Sequence, residues 1–236
     1  MDFLTSIAKA FSDGGIWMYL IAAFQVASIA IVIERTLALF KDRDVNQLEV
    51  VKTFEDNIRR GEIDTVVAKA QANKAINPVA RAIEAGAKAA QNFGGKEEIQ
   101  GKMDEVLLLE NSQLDKRVGF LSMLGNVATL TGLLGTITGM IKSFAAVSQA
   151  NPADKAALLS SGISEAMNAT AYGLIVAIPA LVAYAILQNR SNALADDLNQ
   201  AALKAYNWLS YAYDPVSVRA TASAKKTSSK DREVNA

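Results

Sequence analysis

The sequence predicts an all-α integral membrane protein with three transmembrane helices and long cytoplasmic helical extensions. Three features predict this class: long uncharged apolar stretches, an uneven distribution of basic residues, and helical spacing of apolar residues between the stretches. Of the 236 residues 51% are hydrophobic, which is high for a soluble protein of ordinary charge content.

The apolar stretches are long enough to cross a bilayer. Residues 16–33 contain only Gln25 and Ser28 as polar interruptions, and residues 120–141 and 166–187 contain no charge. At about 1.5 Å per residue, each can cross a hydrocarbon core of roughly 30 Å as a helix. Buried helices of soluble proteins seldom remain uncharged over this length, so a soluble fold is rejected.

Basic residues predict the orientation in the membrane. Among the 24 Lys and Arg, Lys9, Lys142 and Lys155 lie on one side, and the others lie on the opposite side or at its edge. By the positive-inside rule, the N-terminus is periplasmic and the C-terminus is cytoplasmic.

The predicted segments follow from the spans and from this orientation. They are a periplasmic N-terminus with an amphipathic segment (1–15), transmembrane helix 1 (16–40), a cytoplasmic helical domain (41–115), transmembrane helix 2 (116–143), a periplasmic loop (144–157), transmembrane helix 3 (158–188), a cytoplasmic helical extension (189–213) and a disordered tail (214–236).

Helical continuity and charge in the cytoplasmic part lead to two further expectations. No proline or glycine pair occurs from Lys96 to about Ser143, which predicts one uninterrupted helix. The acidic residues Asp104, Glu105 and Glu110 are expected to attract cations.

Composition excludes several kinds of chemistry. The chain has no cysteine and no histidine, which removes disulfides, thiol nucleophiles, Cys/His zinc sites and Ser-His-Asp triads. No phosphate-binding loop occurs either, so neither an enzyme nor a cofactor is expected. A net charge of zero gives no reason to expect a nucleic-acid partner.

Small residues follow one face of each of the last two spans. In the second span they are Gly125, Thr129, Gly132, Thr136, Gly139 and Ser143. In the third they are Ala166, Thr170, Gly173, Ala177 and Ala180, with Pro179 beside them. Close helix packing alone would explain the glycines and alanines. The threonines either line a narrow wet path or donate hydrogen bonds to carbonyls of their own helix.

Charged residues at the ends of the spans are further candidates. Glu165, at the head of the third span, is costly there unless it faces water, a charge or a bundle interior, so we expect an ion entrance or an interfacial carboxylate. Successive helical residues are about 100° apart, so Glu165 and Thr170 cannot share one narrow face. Arg35 either anchors the first helix at the interface or pairs with a carboxylate of a neighbouring subunit.

Two stretches of these spans resemble the MotA/TolQ/ExbB proton-channel family. They are GLLGTITGMIKSF, residues 132–144, and GISEAMNATAYGLIVAIPALVAY, residues 162–184. The resemblance places the family's pore threonines on Thr136 and Thr170 and its glutamate on Glu165. Three spans resemble the ExbB and TolQ branches, since the MotA branch has four.

Two positions depart from the family pattern. Thr129 stands where related sequences often have proline, and Thr138 stands where they often have an aromatic residue. The additional hydroxyls leave sodium coupling open beside the proton coupling that is usual in the family.

The resemblance implies a homopentameric ring in the bacterial inner membrane around two copies of an ExbD/TolR-like single-span protein. That partner would supply a titrating membrane aspartate, because the carboxylates of the spans here, Glu34 and Glu165, lie at their ends. Lipid and a TonB/TolA-like energy transducer are the other implied partners. The expected function is the channel or stator subunit of a proton-driven motor that acts on the periplasm or the outer membrane. The alternatives are a sodium-coupled stator, a self-sufficient channel, and a membrane scaffold without its own ion pathway.

Overall fold

The computed structural model describes residues 15–40, 46–74, 77–92 and 95–212, and all regular structure in these ranges is helical. The predicted N-terminal segment, up to residue 14, and the predicted tail from 214 lie outside the described residues. The helices are α1 (Gly15–Phe40), α2 (Gln47–Arg59), α3 (Ile63–Asn73), α4 (Pro78–Gln91), α5 (Lys96–Asp115), α6 (Val118–Gln149) and α7 (Lys155–Ala212).

Three helical stretches of the described chain are long and apolar enough to cross a membrane. They are Gly15–Phe40, Lys96–Gln149 and Lys155–Tyr211. The predicted all-helical class with three candidate spans is therefore confirmed. The chain divides into two compact units, one of Met1–Arg43 with Asp115–Ser191 and one of Asp44–Leu114 with Asn192–Ala236.

In the first unit, α1 packs beside α6 and the first part of α7. Ile21, Ala128 and Val176, one from each helix, are buried together, and Phe24 and Tyr172 pack against them. Most other large apolar side chains of these helices are exposed, as expected of surfaces that face lipid or a neighbouring chain.

The structure differs from the expected uninterrupted helix at residues 116 and 117. Helix α5 ends at Asp115 and α6 begins at Val118, because Arg117 has a left-handed backbone with φ 63°. This conformation interrupts the helical hydrogen-bond ladder and is uncommon for a residue with a Cβ. The Arg117 guanidinium binds the Glu34 carboxylate of α1 at 2.6 Å, a contact that helps to hold the break.

The second unit has a continuous apolar core built from α2 to α5 and the last part of α7. Phe54 and Ile58 of α2, Ile83 of α4 and Leu209 of α7 are fully buried in it. Residue Asn77 caps α4 through a hydrogen bond from the backbone N–H of Val79, at 3.3 Å.

One acidic residue of this unit does not have the expected exposure. Glu110 is only 3% exposed, and its carboxylate binds the Arg81 guanidinium at 3.0 and 3.2 Å. A buried and paired carboxylate cannot collect cations, so the expectation for Glu110 is wrong. Asp104 and Glu105 are exposed, and Glu105 pairs with Lys102 at 3.1 Å.

Candidate ion-pathway site

The small faces of α6 and α7 pack directly against each other. A Cβ atom placed on Gly132 would lie 3.0 Å from the Ala169 carbonyl oxygen and 3.1 Å from the Thr170 Cα. On Gly173 it would lie 2.8 Å from the Ala128 carbonyl oxygen. Because these neighbours are backbone atoms, which cannot move aside alone, the two helices approach at a distance that only glycine permits.

The contact between these helices continues in both directions along them. A Cβ atom on Gly139 would lie 3.0 Å from the Ala166 Cβ, and one on Gly125 would lie 3.4 Å from the Ala177 carbonyl oxygen. The predicted glycines and alanines therefore lie between α6 and α7 of one chain. Their surfaces are used for packing within the subunit.

The structure brings the predicted threonines together across this interface. The hydroxyl groups of Thr136 and Thr170 are hydrogen bonded to each other, and both side chains are half-buried. Thr170 also donates to the Gly132 carbonyl at 2.9 Å. For Thr136, the Gly132 and Ala166 carbonyl oxygens both lie at 3.3 Å.

This arrangement gives the Thr136 hydroxyl a choice of acceptors. A hydroxyl has one proton to donate and two lone pairs that accept. Its proton can point to Gly132, to Ala166 or to Thr170 without movement of the heavy atoms. A group that accepts and donates in alternation is suited to a hydrogen-bonded relay, although threonine does not itself titrate.

Two other threonine hydroxyls of α6 have different partners. Thr129 donates to the Gly125 carbonyl at 3.1 Å. The Thr138 hydroxyl donates to the Leu134 carbonyl at 2.9 Å, and it accepts a hydrogen bond of 2.7 Å from the Trp17 indole nitrogen of α1. The position where the family often has an aromatic residue thus holds a hydroxyl that binds an aromatic side chain from another helix.

Glu165 is placed apart from the threonine pair. It is half-buried, and a Cβ atom on Gly15, the first residue of α1, would lie 2.5 Å from its Oε1. A carboxylate beside a helix N-terminus has a favourable interaction with the helix dipole. Thr170 instead contacts Gly132 of α6, so the two residues face different helices, as their angular offset along α7 predicts.

The remaining predicted residues lie along α1 and α7. Arg35 is 6% exposed, so its side chain is enclosed by protein. Pro179 is exposed on α7 and lines an apolar cavity of about 250 Å³ with Ser28 and Ile29 of α1. Among the described residues, no group of three acidic side chains is placed to hold a metal ion.

Sequence reasoning missed the polar contacts that attach α1 to its neighbours. Besides the bond from Trp17 to Thr138, the Tyr172 hydroxyl of α7 donates to the Gln25 side chain of α1. The one available signal was Gln25 itself, a polar residue far inside an apolar span, which requires a partner in the membrane.

Comparison with known proteins identifies the family. The sequence model of the MotA/TolQ/ExbB proton channel family matches residues 74–200. The chain belongs to this family. The match includes both threonines, Glu165 and the α6–α7 interface that carries them, and with three candidate spans the chain is a multi-pass membrane protein of a channel family.

Relatives within the family carry TolQ and ExbB names. The chain is 30% identical over 220 residues to the Tol-Pal system protein TolQ of Haemophilus influenzae, covering 84% of this chain and 89% of that one. It is 27% identical to a putative biopolymer transport protein ExbB homolog of Methanothermobacter thermautotrophicus, covering 92% of this chain and 75% of the relative. The biopolymer transport protein ExbB of Salmonella typhimurium is 31% identical over 119 residues, which cover 50% of this chain and 48% of the relative. These relatives support the ExbB/TolQ-like branch.

Proposed function

We propose that this protein is the channel and stator subunit of a proton-driven motor in the inner membrane. Its N-terminus is periplasmic and its C-terminus is cytoplasmic, as the distribution of basic residues favours. Five copies form a ring around two copies of an ExbD/TolR-like single-span protein, and a TonB/TolA-like protein carries the work onward. Family membership and the TolQ and ExbB relatives support these partners.

The observation that carries the proposal is the contact between the Thr136 and Thr170 hydroxyls. It joins α6 and α7 inside the apolar spans, where a hydrogen bond between hydroxyls of two helices also contributes to their packing. The pair has alternative acceptors, as a relay requires. It has no titrating group, and Glu34 and Glu165 lie at the ends of their apolar stretches. A partner carboxylate must therefore provide the site that changes charge.

In this mechanism, ions enter from the periplasm near Glu165. They pass Thr170 and Thr136 on the way to the partner aspartate and then leave to the cytoplasm. Protonation removes the charge of that aspartate from the membrane interior and changes its preferred contact with the ring. Two partner helices cannot make the same contacts with all five subunits at once. Each protonation therefore favours a step of rotation to the next subunit. The membrane potential supplies about 2.3 kcal/mol per charge per 100 mV, so a large mechanical step needs several ions.

The experiment is proton flux into liposomes that contain the chain with its single-span partner. We expect flux with the intact partner, and loss of flux when the partner's membrane aspartate is changed to asparagine. Thr136→Val and Thr170→Val should also abolish flux, while the complex still assembles. Thr131→Val is the matched control, because the Thr131 hydroxyl is buried and donates only to the Val127 carbonyl of its own helix, at 2.7 Å.

Each alternative function has its own result in this experiment. Full flux in both threonine variants would contradict the proposed pathway and favour a membrane scaffold. Flux from this chain without a partner would mean a self-sufficient channel. Flux that follows a sodium gradient at constant pH would mean sodium coupling, for which the additional hydroxyl of Thr129 is the candidate.

A further inference from the structure

An apolar groove runs along the first unit between α1 and α7. Two cavities of about 250 and 300 Å³ lie next to each other along this groove and share Val32 and Ala183 in their linings. On α1 the lining extends from Gln25 to Phe40. At about 1.5 Å per residue this is roughly 22 Å, which exceeds the roughly 15 Å depth of one leaflet of a hydrocarbon core.

The lining is suited to a hydrocarbon chain. Its floor contains small side chains, among them Ala180 and Ala183, while Ile29 and Ile175 on the two walls are 51% and 61% exposed. Two of its polar residues use their side-chain hydrogen bonds elsewhere. The Ser28 hydroxyl donates to the Phe24 carbonyl at 2.8 Å, and the Gln25 side chain binds Tyr172.

One end of the groove is marked by positive charge. Phe40 lines this end, and the Arg190 guanidinium lies over its ring, 5.3 Å from the centroid. Among the described residues near the same ends of α1, α6 and α7, basic side chains outnumber acidic ones. The basic residues are Arg35, Lys116, Arg117 and Arg190, and the acidic residues are Glu34 and Asp115.

The acidic side chains at this end are already engaged. Glu34 binds Arg117 at 2.6 Å, and Asp115 accepts hydrogen bonds from Ser191 at 2.7 Å and from Gln188 at 3.3 Å. The local excess of positive charge therefore complements an anionic group at the membrane surface.

From this geometry we infer that the groove binds an anionic phospholipid of the cytoplasmic leaflet. One acyl chain lies between α1 and α7 along Ser28, Val32 and Ala183, and the phosphate of the headgroup lies beside Arg190. The lipid fills the space beside the apolar contact of Ile21 with Val176 and the hydrogen bond of Tyr172 with Gln25, which join the same two helices. The leaflet assignment rests on the orientation of the proposed function, but the site is separate from the threonine pair and does not depend on the proposed ion pathway.

The experiment is native mass spectrometry of the full chain purified in a mild detergent, with added phosphatidylglycerol or phosphatidylcholine. The wild-type protein should retain phosphatidylglycerol in preference to phosphatidylcholine. Ala183→Leu fills the groove and should abolish retention of both lipids. Ala185→Leu is the matched control, since Ala185 is exposed on the same helix and does not line the groove.

A second set of variants tests the headgroup contact without change to the groove. Arg190→Gln should weaken retention of phosphatidylglycerol about fivefold, the factor that corresponds to about 1 kcal/mol for one basic residue near an anionic surface. Arg190→Lys keeps the charge and should restore the preference.

Three results would overturn the inference. The first is equal retention of the two lipids by the wild-type protein. The second is unchanged retention in Ala183→Leu. The third is loss of oligomeric state in Ala183→Leu, which would mean that a second copy of the chain covers the groove.

Discussion

Replacement of Gly173 by alanine tests the idea that α6 and α7 meet at a distance fixed by glycine. The added methyl would lie 2.8 Å from the Ala128 carbonyl oxygen and 3.2 Å from the Gly132 Cα. To reach ordinary van der Waals contact, at about 3.4 Å, the helices must separate locally by about 0.6 Å. Both close neighbours are backbone atoms, so no side-chain rotation can relieve the contact.

The cost of this separation is estimated by comparison with a matched glycine. Overpacking by one methyl costs about 1–3 kcal/mol. Within a helix, alanine is favoured over glycine by about 1 kcal/mol, and this gain offsets part of the overpacking cost in the free energy of unfolding. Gly119→Ala, near the start of α6, also adds one methyl to a helix, but its Cβ would meet no atom within 4 Å. The free energy of unfolding should therefore be about 1–3 kcal/mol lower in Gly173→Ala than in Gly119→Ala.

The assay is unfolding of both variants in mixed micelles with increasing sodium dodecyl sulfate, followed by circular dichroism. Equal free energies of unfolding would refute the close-approach argument. A functional consequence is expected as well, because the Gly132 carbonyl is within hydrogen-bond distance of both threonine hydroxyls. Proton flux should fall in Gly173→Ala and remain at the wild-type level in Gly119→Ala.

Three further predictions concern other contacts. Trp17→Phe and Thr138→Val each remove the 2.7 Å hydrogen bond between α1 and α6, and a double-mutant cycle in unfolding should give a coupling of about 0.5–1.5 kcal/mol. Burial alone would raise the pKa of Glu84, but its hydrogen bond with Lys88 and the charge of that lysine outweigh burial and lower it. The contribution of the Glu84 carboxylate to the free energy of unfolding is thus fully present above its unfolded-state pKa of roughly 4.3. It is lost as the pH falls through the lowered pKa of the folded state. Gly101→Ala, where a Cβ would meet no atom within 4 Å, should stabilise the second unit by about 0.5–1 kcal/mol in thermal unfolding.

Each of these predictions has an outcome that contradicts it. Additive effects of the Trp17 and Thr138 variants would mean that the indole hydrogen bond contributes nothing. In Glu84→Gln, the free energy of unfolding should fall less on acidification than in the wild type. An unchanged dependence of that free energy on pH would contradict the role of the Glu84 carboxylate. Destabilisation by Gly101→Ala would mean that this face of α5 packs against something in the assembled protein.

Much of the fold could be predicted from sequence because the signals are local. Hydropathy over about 20 residues identifies a span, and spacing along one helix identifies a face. Backbone preferences of single residues also mark helix ends, since Gly61 has a left-handed φ of 75° just after α2 and Pro78 is the first residue of α4. The break at Arg117 was not predictable, because no glycine or proline marks it and its contact with Glu34 comes from a distant helix.

The sequence by itself determined the helices, the three spans, the small faces and the angular separation of Glu165 from Thr170, since all of these depend on residues within one segment. Only the tertiary structure decided which atoms meet. It brought the Thr136 hydroxyl to Thr170, 34 positions away, and the Glu110 carboxylate to Arg81, 29 positions away. Whether a polar group is exposed, buried or shared depends on the helix packed against it, and spacing within a single helix carries no information about that neighbour.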